Sequence, residues 1–114
     1  MNASTLETDL RALQLLAHQP TLNQRELSQE LGVSLGKVNY CLKALLAKGF
    51  LKAQNFKNSK NKLAYAYVLT PAGITARAEL TAEFLQVKVM EYERLQLQIK
   101  DLRLSLAQAE GERA

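Results

Sequence analysis

Apolar residues near the start of the chain recur every three or four positions, which is the period of one face of an α-helix. The recurring positions are Leu6, Leu10, Leu13 and Leu16. They predict a first helix over about residues 6–18, with Ser4 or Thr5 as its N-terminal cap. Pro20 follows soon afterwards and ends the helical pattern.

Two shorter helical patterns follow, separated by a Gly-Val-Ser turn. Asn23 and Glu26 have the spacing of a capping box, which predicts a helix that begins directly after Asn23. Gly32 is placed to end that helix, and Ser34 is placed to cap the next one. The buried stripe of this next helix is predicted to contain Val38, Leu42 and Leu45. Helix, tight turn and helix is the layout of a DNA-binding helix-turn-helix.

The pattern then changes from helical spacing to strand-like segments. Residues 50–56 and 63–69 are predicted strands, and the polar, basic segment 57–62 between them is the predicted tip of a hairpin. Thr70 is placed to cap a fourth helix, in which Pro71 occupies the first position, where its missing amide costs nothing. The predicted fold class is therefore mainly α with a small β-hairpin: a winged helix-turn-helix followed by a long C-terminal helix.

The fourth helix is predicted to be unusually long. No Pro or Gly occurs between Gly73 and Gly111, and at ~1.5 Å per residue an uninterrupted helix over residues 71–109 would measure roughly 58 Å. A small domain has too few elements to cover a helix of that length. We therefore expect a DNA-binding domain over residues 1–80 and a coiled-coil-like dimerisation helix over residues 81–110.

The long helix also carries an apolar repeat with spacings of three and four, the heptad pattern of a coiled coil. Its positions are Tyr92, Leu95, Ile99, Leu102, Leu106 and Ala109. Extending the repeat backwards gives Lys88, a defect, and then Leu85. We predict that two copies of the chain pair through Leu85, Tyr92, Leu95, Ile99, Leu102 and Leu106. A second stripe on the opposite face leaves open a contact with the partner's first helix or a higher oligomer, and it consists of Met90, Leu97 and Leu104.

The charges of the chain are unevenly distributed. Between Glu30 and Glu79 there is no acidic residue, although this window holds seven lysines and Arg77. A surface with cations and no anions attracts a polyanion, and the adjoining helix-turn-helix pattern makes duplex DNA the polyanion that fits best. We expect these cations and the short helix over residues 35–43 to lie on the same side of the molecule.

The candidate DNA contacts come from the helix-turn-helix and from the hairpin tip. They are Arg25, Ser34, Leu35, Lys37, Asn39, Tyr40, Lys43, Lys57, Asn58, Lys60 and Lys62. Asn39 has an amide that can pair bidentately with adenine, and Lys37 can reach the acceptors of guanine. The hairpin-tip residues would follow a neighbouring phosphate backbone or the minor groove, and Arg25 would bind a phosphate at the start of a helix. The alternative is that these are ordinary solvated polar residues.

Other classes of site find little support in the sequence. One cysteine, Cys41, cannot form an internal disulfide, and together with the single His18 it cannot build a zinc site. There is no Gly-rich phosphate loop or nucleophile elbow, so we expect neither an enzyme nor a cofactor. No stretch approaches the roughly 20 apolar residues of a membrane span, and the start of the chain lacks a signal-peptide layout, so a cytoplasmic protein is expected. The residues identify no small-molecule effector.

Residues 24–34, 38–50 and 69–73 together resemble a MarR-type transcriptional regulator. Residues 35–43 and 54–62 are similar, more particularly, to the short MarR-like group associated with extracellular polysaccharide loci in bacteria. The resemblance implies a regulator that binds duplex DNA as a homodimer. It also implies that the recognition helix enters the major groove and that the basic hairpin, or wing, lies on the flanking backbone.

The sequence departs from the larger MarR proteins in one respect. Those proteins build their dimer from elements at both ends and hold a small-molecule pocket between the lobes. Here about five residues precede the first predicted helix, so dimerisation is expected to fall to the C-terminal helix. Two other functions remain open: a winged-helix protein-interaction adaptor that works through its apolar long helix, and a structured-RNA-binding module that uses the same basic face.

Overall fold

The computed structural model of the protein describes residues 3–57, 60 and 63–113. In chain order its elements are α1 (Ala3–His18), α2 (Gln24–Leu31), α3 (Leu35–Ala47), β1 (Leu51–Lys57), β2 (Leu63–Leu69) and α4 (Pro71–Arg113). The two strands form one antiparallel sheet, so the fold is a mainly helical winged helix-turn-helix with a long C-terminal helix. The predicted fold class is therefore confirmed.

The chain divides into two compact units, Met1–Ala82 and Glu83–Ala114. The first unit has a core made from one face of each of its three short helices and from the start of β1. Its members are Ala12, Leu13, Leu16, Leu22, Leu27, Leu31, Val38, Cys41, Leu42, Leu45 and Leu51. Full burial of a leucine-sized side chain contributes roughly 1.5–3 kcal/mol, so this cluster is the main source of stability in the unit.

The ends of α2 and the start of α3 are fixed by side chains next to them. Asn23 Oδ1 accepts a hydrogen bond from the Glu26 amide at 2.8 Å, and Glu26 Oε1 accepts one from the Asn23 amide at 3.0 Å. Gly32 ends α2 with φ of 67°, a left-handed conformation that suits glycine. Ser34 Oγ accepts from the Lys37 amide at 3.1 Å and caps α3. These predicted caps are confirmed.

The start of α1 differs from the sequence prediction. The helix begins at Ala3, so Ser4 and Thr5 lie inside its first turn, and the prediction that either residue is the cap is wrong. Serine and threonine prefer cap positions but are tolerated in helices when tertiary packing favours the helix. The next apolar residue, Leu6, is buried, and so is Leu10 one turn later, which extends the packed face to the beginning of the helix.

The sequence predicts that Phe50 begins the first strand, and this prediction is wrong. Phe50 instead takes part in the hydrogen bonds that end α3 after Ala47. Its amide donates to the Leu45 carbonyl at 3.0 Å, and the preceding Gly49 amide donates to Leu46 at 3.0 Å. This is the Schellman arrangement, which needs a left-handed residue, and Gly49 has φ of 77°. The amide of Phe50 is thus committed to the helix end, and β1 begins at Leu51.

The hairpin is in register from Leu51 opposite Leu69 to Lys57 opposite Leu63. Lys57 is therefore the last residue of β1, although the sequence had assigned it to the tip. The amide of Tyr67 in β2 donates to the Pro20 carbonyl at 2.9 Å, which ties the hairpin to the loop between α1 and α2. This bond fixes the hairpin against the helices in a way that its own two strands could not.

The beginning of α4 packs closely against the end of α3. Thr70 Oγ1 accepts from the Gly73 amide at 3.0 Å and caps the helix, and the Thr70 amide donates to the Phe50 carbonyl at 3.1 Å. A Cβ atom added to Gly73 would lie 2.0 Å from that same Phe50 oxygen. Only a residue without a side chain allows this contact, because the opposing group is backbone and cannot rotate away.

The second unit consists of the later part of α4. Lys88, the defect in the heptad repeat, forms an ion pair with Glu91 at 3.2 Å and lies 5.1 Å from the centre of the Phe84 ring.

None of the helices among the described residues has the length and apolar character that a membrane span requires.

Replacing Gly73 with alanine is expected to destabilise the first unit by about 2 kcal/mol or more, because the new methyl group would overlap the Phe50 carbonyl. The free energy of unfolding, measured by urea denaturation followed by circular dichroism, tests this. Gly36→Ala is the matched control, since open space surrounds Gly36 in α3. Alanine should leave stability there unchanged or raise it by up to ~1 kcal/mol. Equal stability of Gly73→Ala and the wild type would contradict the close packing described above.

Candidate nucleic-acid interface

The burial of one stripe of α3 determines which of its residues reach the surface. Val38, Leu42 and Leu45 are at most 2% exposed, and they turn the opposite side of the helix outward. The predicted contacts exposed on or next to this helix are Ser34, Leu35, Lys37, Tyr40 and Lys43. Tyr40 is 74% exposed, which is a high fraction for a tyrosine, a residue type that is usually partly buried. Asn39 is only half-buried, and it has a specific internal partner.

Asn39 is held on the side of α3 that faces α2 and the hairpin. Its Nδ2 donates to Gln24 Oε1 at 3.2 Å. Gln24 Nε2 in turn donates to the Tyr67 hydroxyl at 3.5 Å, the outer limit of a hydrogen bond. Residues from α3, α2 and β2 are thus joined by one polar chain. Neither Gln24 nor Tyr67 was among the predicted site residues, because the contacts span 15 and 43 positions and leave no local signal.

A groove of about 730 Å³ lies between the start of α2 and the hairpin. It is lined by Thr21, Asn23, Gln24, Glu26, Phe56, Lys57, Ala64, Tyr65 and Tyr67. Lys57 and Gln24 both line the groove, and Gln24 also bonds Asn39. Of the predicted contacts, Lys57 lines this groove, and Asn39 is linked to it only through its bond to Gln24.

The hairpin carries Lys52, Lys57 and Lys60 of the window between Glu30 and Glu79. Side chains alternate along a strand, so Lys57 shares the hairpin face of Leu51 and Tyr67, whereas Lys52 lies on the opposite face. The expectation that the cations and residues 35–43 lie on the same side of the molecule stays a prediction. Lys60 is exposed in the turn. The predicted contacts Asn58 and Lys62 lie outside the described residues.

Arginines at the two ends of α2 have different roles. Arg25, a predicted phosphate contact, is exposed in the first turn of this helix. Arg11 of α1 donates to the carbonyls of Leu31 and Glu30, both at 3.1 Å, at the other end. Helix carbonyls at a C-terminus lack partners of their own, so Arg11 stabilises α2 and orients it relative to α1. Sequence reasoning missed this contact.

A second, smaller cleft lies between α1 and the other side of α3. It has a volume of about 300 Å³ and is lined by Thr5, Thr8, Asp9, Lys37, Tyr40, Cys41, Ala44 and Lys48. The Cys41 thiol donates to Asp9 Oδ1 at 3.1 Å, and both residues are buried. A buried carboxylate is costly unless it is hydrogen-bonded, so this contact helps Asp9 to remain inside.

Burial raises the pKa of the Cys41 thiol from 9.0 to about 12, with further contributions from the hydrogen bond to Asp9 and from the charge of that carboxylate. Lys48 and Lys37 act in the opposite direction and are outweighed. The thiol therefore keeps its proton throughout the physiological range. Within residues 3–57, 60 and 63–113, no group of three or more His, Cys, Asp or Glu side chains could hold a metal ion.

The predicted dimerisation residues of α4 are all exposed. Leu85, Tyr92, Leu95, Leu102 and Leu106 each expose more than half of their surface, and Ile99 exposes 46%. The second stripe is also exposed, with Leu104 at 56%. Contiguous apolar surface of this kind marks an interaction site more often than an ordinary surface.

Comparisons with known proteins agree with this geometry. Residues 5–52 match a family model described as winged helix-turn-helix DNA-binding. A search of curated proteins found no significant match.

Several solved structures are similar to this chain. The zinc-dependent MarR family transcriptional regulator AdcR, in its Zn(II)-bound state, is 28% identical, with a TM-score of 0.52 over 80% of this chain and 60% of that one. MepR, a transcription regulator of the Staphylococcus aureus multidrug efflux pump MepA, is 20% identical, with a TM-score of 0.54 over 87% and 78%. A MarR/EmrR family transcriptional regulator from Acinetobacter sp. ADP1 is 23% identical, with a TM-score of 0.54 over 89% and 75%.

At 20% and 23% identity, the similarities to MepR and to the Acinetobacter regulator show a shared fold alone. The chain spans about three fifths of the length of AdcR. The winged helix-turn-helix predicted from the sequence thus has MarR-family regulators among its structural neighbours. The finer resemblance to the group associated with extracellular polysaccharide loci stays a prediction.

Cys41 is expected to react slowly with iodoacetamide in the native protein. At pH 8 almost no thiolate forms when the pKa is about 12, whereas the unfolded chain has a thiol with its ordinary pKa of 9.0. The alkylation rate, followed by mass spectrometry, should be at least about a hundredfold lower without urea than in denaturing urea. Similar rates in the two conditions would show that the thiol is neither buried nor bonded to Asp9.

Proposed function

We propose that the chain is a transcriptional regulator that acts in the cytoplasm and binds specific sites in duplex DNA as a homodimer. The observation that carries this proposal is a capped recognition helix whose polar side is open to solvent, within residues that match a winged helix-turn-helix DNA-binding model. A helix of this kind fits the major groove of B-form DNA, which is about 12 Å wide.

In the proposed complex the N-terminal half of α3 enters the major groove. Asn39 reads adenine through one acceptor and one donor of its amide, and Lys37 reaches guanine acceptors. Ser34, Leu35, Tyr40 and Lys43 contact the groove walls or the phosphates beside them. Support comes from their exposure and from the capping of the helix by Ser34, whose hydroxyl already accepts the Lys37 amide.

Phosphate contacts provide most of the affinity. Arg25 binds a phosphate near the start of α2. The flanking DNA backbone or the minor groove is contacted by the hairpin residues Lys57, Asn58, Lys60 and Lys62. Each lysine that neutralises a phosphate releases counterions, so binding weakens steeply with salt. The position of Lys57 in the groove beside Gln24 supports a joint contact of the hairpin and α2 with one DNA strand.

Two chains pair through the heptad seam of α4. The seam offers Leu85, Tyr92, Leu95, Ile99, Leu102 and Leu106, all exposed, and pairing would bury them. The ion pair of Lys88 with Glu91 neutralises the charge at the defect in the repeat. A symmetric dimer binds a two-fold related site, with half-sites about one helical turn (~34–36 Å) or a multiple apart.

The proposal also concerns which genes the protein regulates. Residues 35–43 and 54–62 resemble the group associated with extracellular polysaccharide loci, so such loci are the expected targets. Selection of bound fragments from the genomic DNA of the source organism tests this directly. Fragments from unrelated loci would exclude the target while leaving DNA binding intact, whereas recovery of no fragment would count against the regulator itself.

Asn39→Ala and Lys60→Ala are expected to weaken DNA binding in different ways. Loss of Asn39 should cost ~1–3 kcal/mol on the selected site and little on a scrambled duplex, because it removes a base contact. Loss of Lys60 should weaken both duplexes similarly and reduce the slope of log affinity against log salt by about one. Fluorescence anisotropy over a salt series measures both effects.

The controls for this experiment separate the competing functions. Equal losses on both duplexes for Asn39→Ala would exclude its role in sequence readout. A wild-type protein without duplex affinity at low salt would point to an adaptor, and preferential competition by structured RNA would point to an RNA-binding module.

Leu102→Asp is expected to separate the dimer into monomers. The substitution would place one aspartate carboxylate from each of the two chains in the apolar seam. Each lost leucine removes ~1.5–3 kcal/mol of burial, so the dimer dissociation constant should rise by about a hundredfold or more. Leu104→Asp, two residues away on the second stripe, is the matched control and should remain dimeric. Sedimentation velocity measures the masses. A reversal of the two results would assign pairing to the second stripe, and a monomeric wild type would remove the homodimer from the proposal.

A further inference from the structure

We propose that Gln24 is a positioning residue for sequence readout, which holds the Asn39 amide in the orientation that adenine requires. The inference rests on the proposed function, because it concerns how α3 reads DNA. Its basis is the hydrogen bond from Asn39 Nδ2 to Gln24 Oε1 at 3.2 Å, which joins the recognition helix to the first residue of α2.

The backbone of Gln24 is well fixed. The residue directly follows Asn23, whose side chain and amide form the two reciprocal bonds of the capping box with Glu26. Its side chain extends from the first turn of a helix whose buried residues, Leu27 and Leu31, belong to the core. The acceptor that Gln24 offers to Asn39 is therefore held in a defined place.

The far end of the Gln24 side chain is also attached. Its Nε2 lies 3.5 Å from the hydroxyl of Tyr67. Tyr67 is itself fixed, because its amide donates to the Pro20 carbonyl at 2.9 Å and its ring packs against the core. Both polar ends of Gln24 thus have partners within the protein, which favours a supporting role for this residue over direct contact with a base.

The chemistry of the amide explains why this support matters. The terminal torsion of asparagine is broad and roughly two-fold, so an unsupported Asn39 would exchange the positions of its oxygen and nitrogen. Adenine needs one acceptor and one donor in a fixed order. The bond to Gln24 uses one hydrogen of Nδ2 and leaves Oδ1 and the second N–H for the base. Ordering the side chain before binding reduces the entropy lost in the complex.

Gln24→Met tests the inference, because methionine has nearly the same shape and offers no comparable acceptor. We define the discrimination ratio as the affinity for a duplex recovered by selection from a random pool divided by that for a scrambled duplex. Gln24→Met should lower this ratio about fivefold, the usual effect of losing one neutral hydrogen bond. Affinity for the scrambled duplex should not change, and the melting temperature should fall by only a few degrees, roughly the effect of one lost hydrogen bond. Gln29→Met, on an exposed position of the same helix, should change none of the three.

Two further variants separate positioning from other roles. Gln24→Glu keeps an acceptor for Asn39, so it should retain the discrimination ratio even though its charge weakens binding to both duplexes. Tyr67→Phe removes only the long outer bond and should lower the ratio by less than Gln24→Met does. Equal losses on both duplexes for Gln24→Met would indicate a merely structural role and would overturn the inference.

The decisive measurement is a double-mutant cycle. If Gln24 acts through Asn39, then Gln24→Met adds no further loss of discrimination in the Asn39→Ala background. Additive losses would mean that Gln24 reads DNA itself, and an unchanged ratio in the single variant would mean that Asn39 needs no support. Either result overturns this inference while the wild type still discriminates. A wild type that does not discriminate would instead overturn the proposed function, and the inference would fall with it.

Discussion

The winged domain depends on the burial of one stripe of α3. Val38, Leu42 and Leu45 pack at close to zero exposure against side chains from α1, α2 and β1. A helix advances by about 100° per residue, so fixing this stripe also fixes the direction of every other residue on the helix. The exposure of Lys37, Tyr40 and Lys43 is therefore a consequence of how the core is packed. Interior packing is dense enough to resist a rotation of the helix, which would expose leucine and bury lysine.

Polar contacts on the two flanks of the stripe refine this orientation. On one flank the Cys41 thiol donates to the buried carboxylate of Asp9, and on the other the Asn39 amide donates to Gln24. Apolar packing is not directional, whereas hydrogen bonds require defined distances and angles. The packed stripe sets the rotation of the helix, and the two bonds reinforce it and orient the side chain that is proposed to read the base.

Local chemistry explains which parts of the fold the sequence could predict. The capping box of Asn23 and Glu26, the glycine at position 32 and the Thr70 cap are each determined by residues within three or four positions, and all are present. The contacts that the sequence did not reveal connect distant residues. They include Arg11 to the end of α2, Asn39 to Gln24, and Cys41 to Asp9. Their partners are common polar residues at unremarkable spacings, so only the folded chain identifies them.

The boundary of β1 illustrates the same limit at shorter range. Phe50 is apolar and precedes an alternating segment, which is why the sequence places it in the strand. Its amide instead donates to the Leu45 carbonyl, whereas its carbonyl accepts from Thr70, the residue that would face it in the register of the hairpin. The contact with Gly73 depends on the same carbonyl. A backbone amide has one hydrogen, so the bond to Leu45 uses the donor that a strand residue would give to its partner. The end of α3 and the start of α4 meet at Phe50, and because its amide bonds within the helix end, the strand begins one residue later, at Leu51.

In the proposed complex, base readout and phosphate binding make opposite demands on a side chain. Base readout needs a donor and an acceptor in fixed places, and Asn39 is half-buried and bonded on one side. Attraction to phosphates needs charge but little geometric precision, and Lys43, Lys57 and Lys60 are exposed. Lysine suits the second task because its long stem lets a hydrated point charge reach phosphates at many positions. Changes at positions 24 and 39 should therefore alter sequence preference with little effect on the salt dependence, whereas changes at the lysines should do the reverse. Specificity and affinity can then be adjusted separately on one small domain.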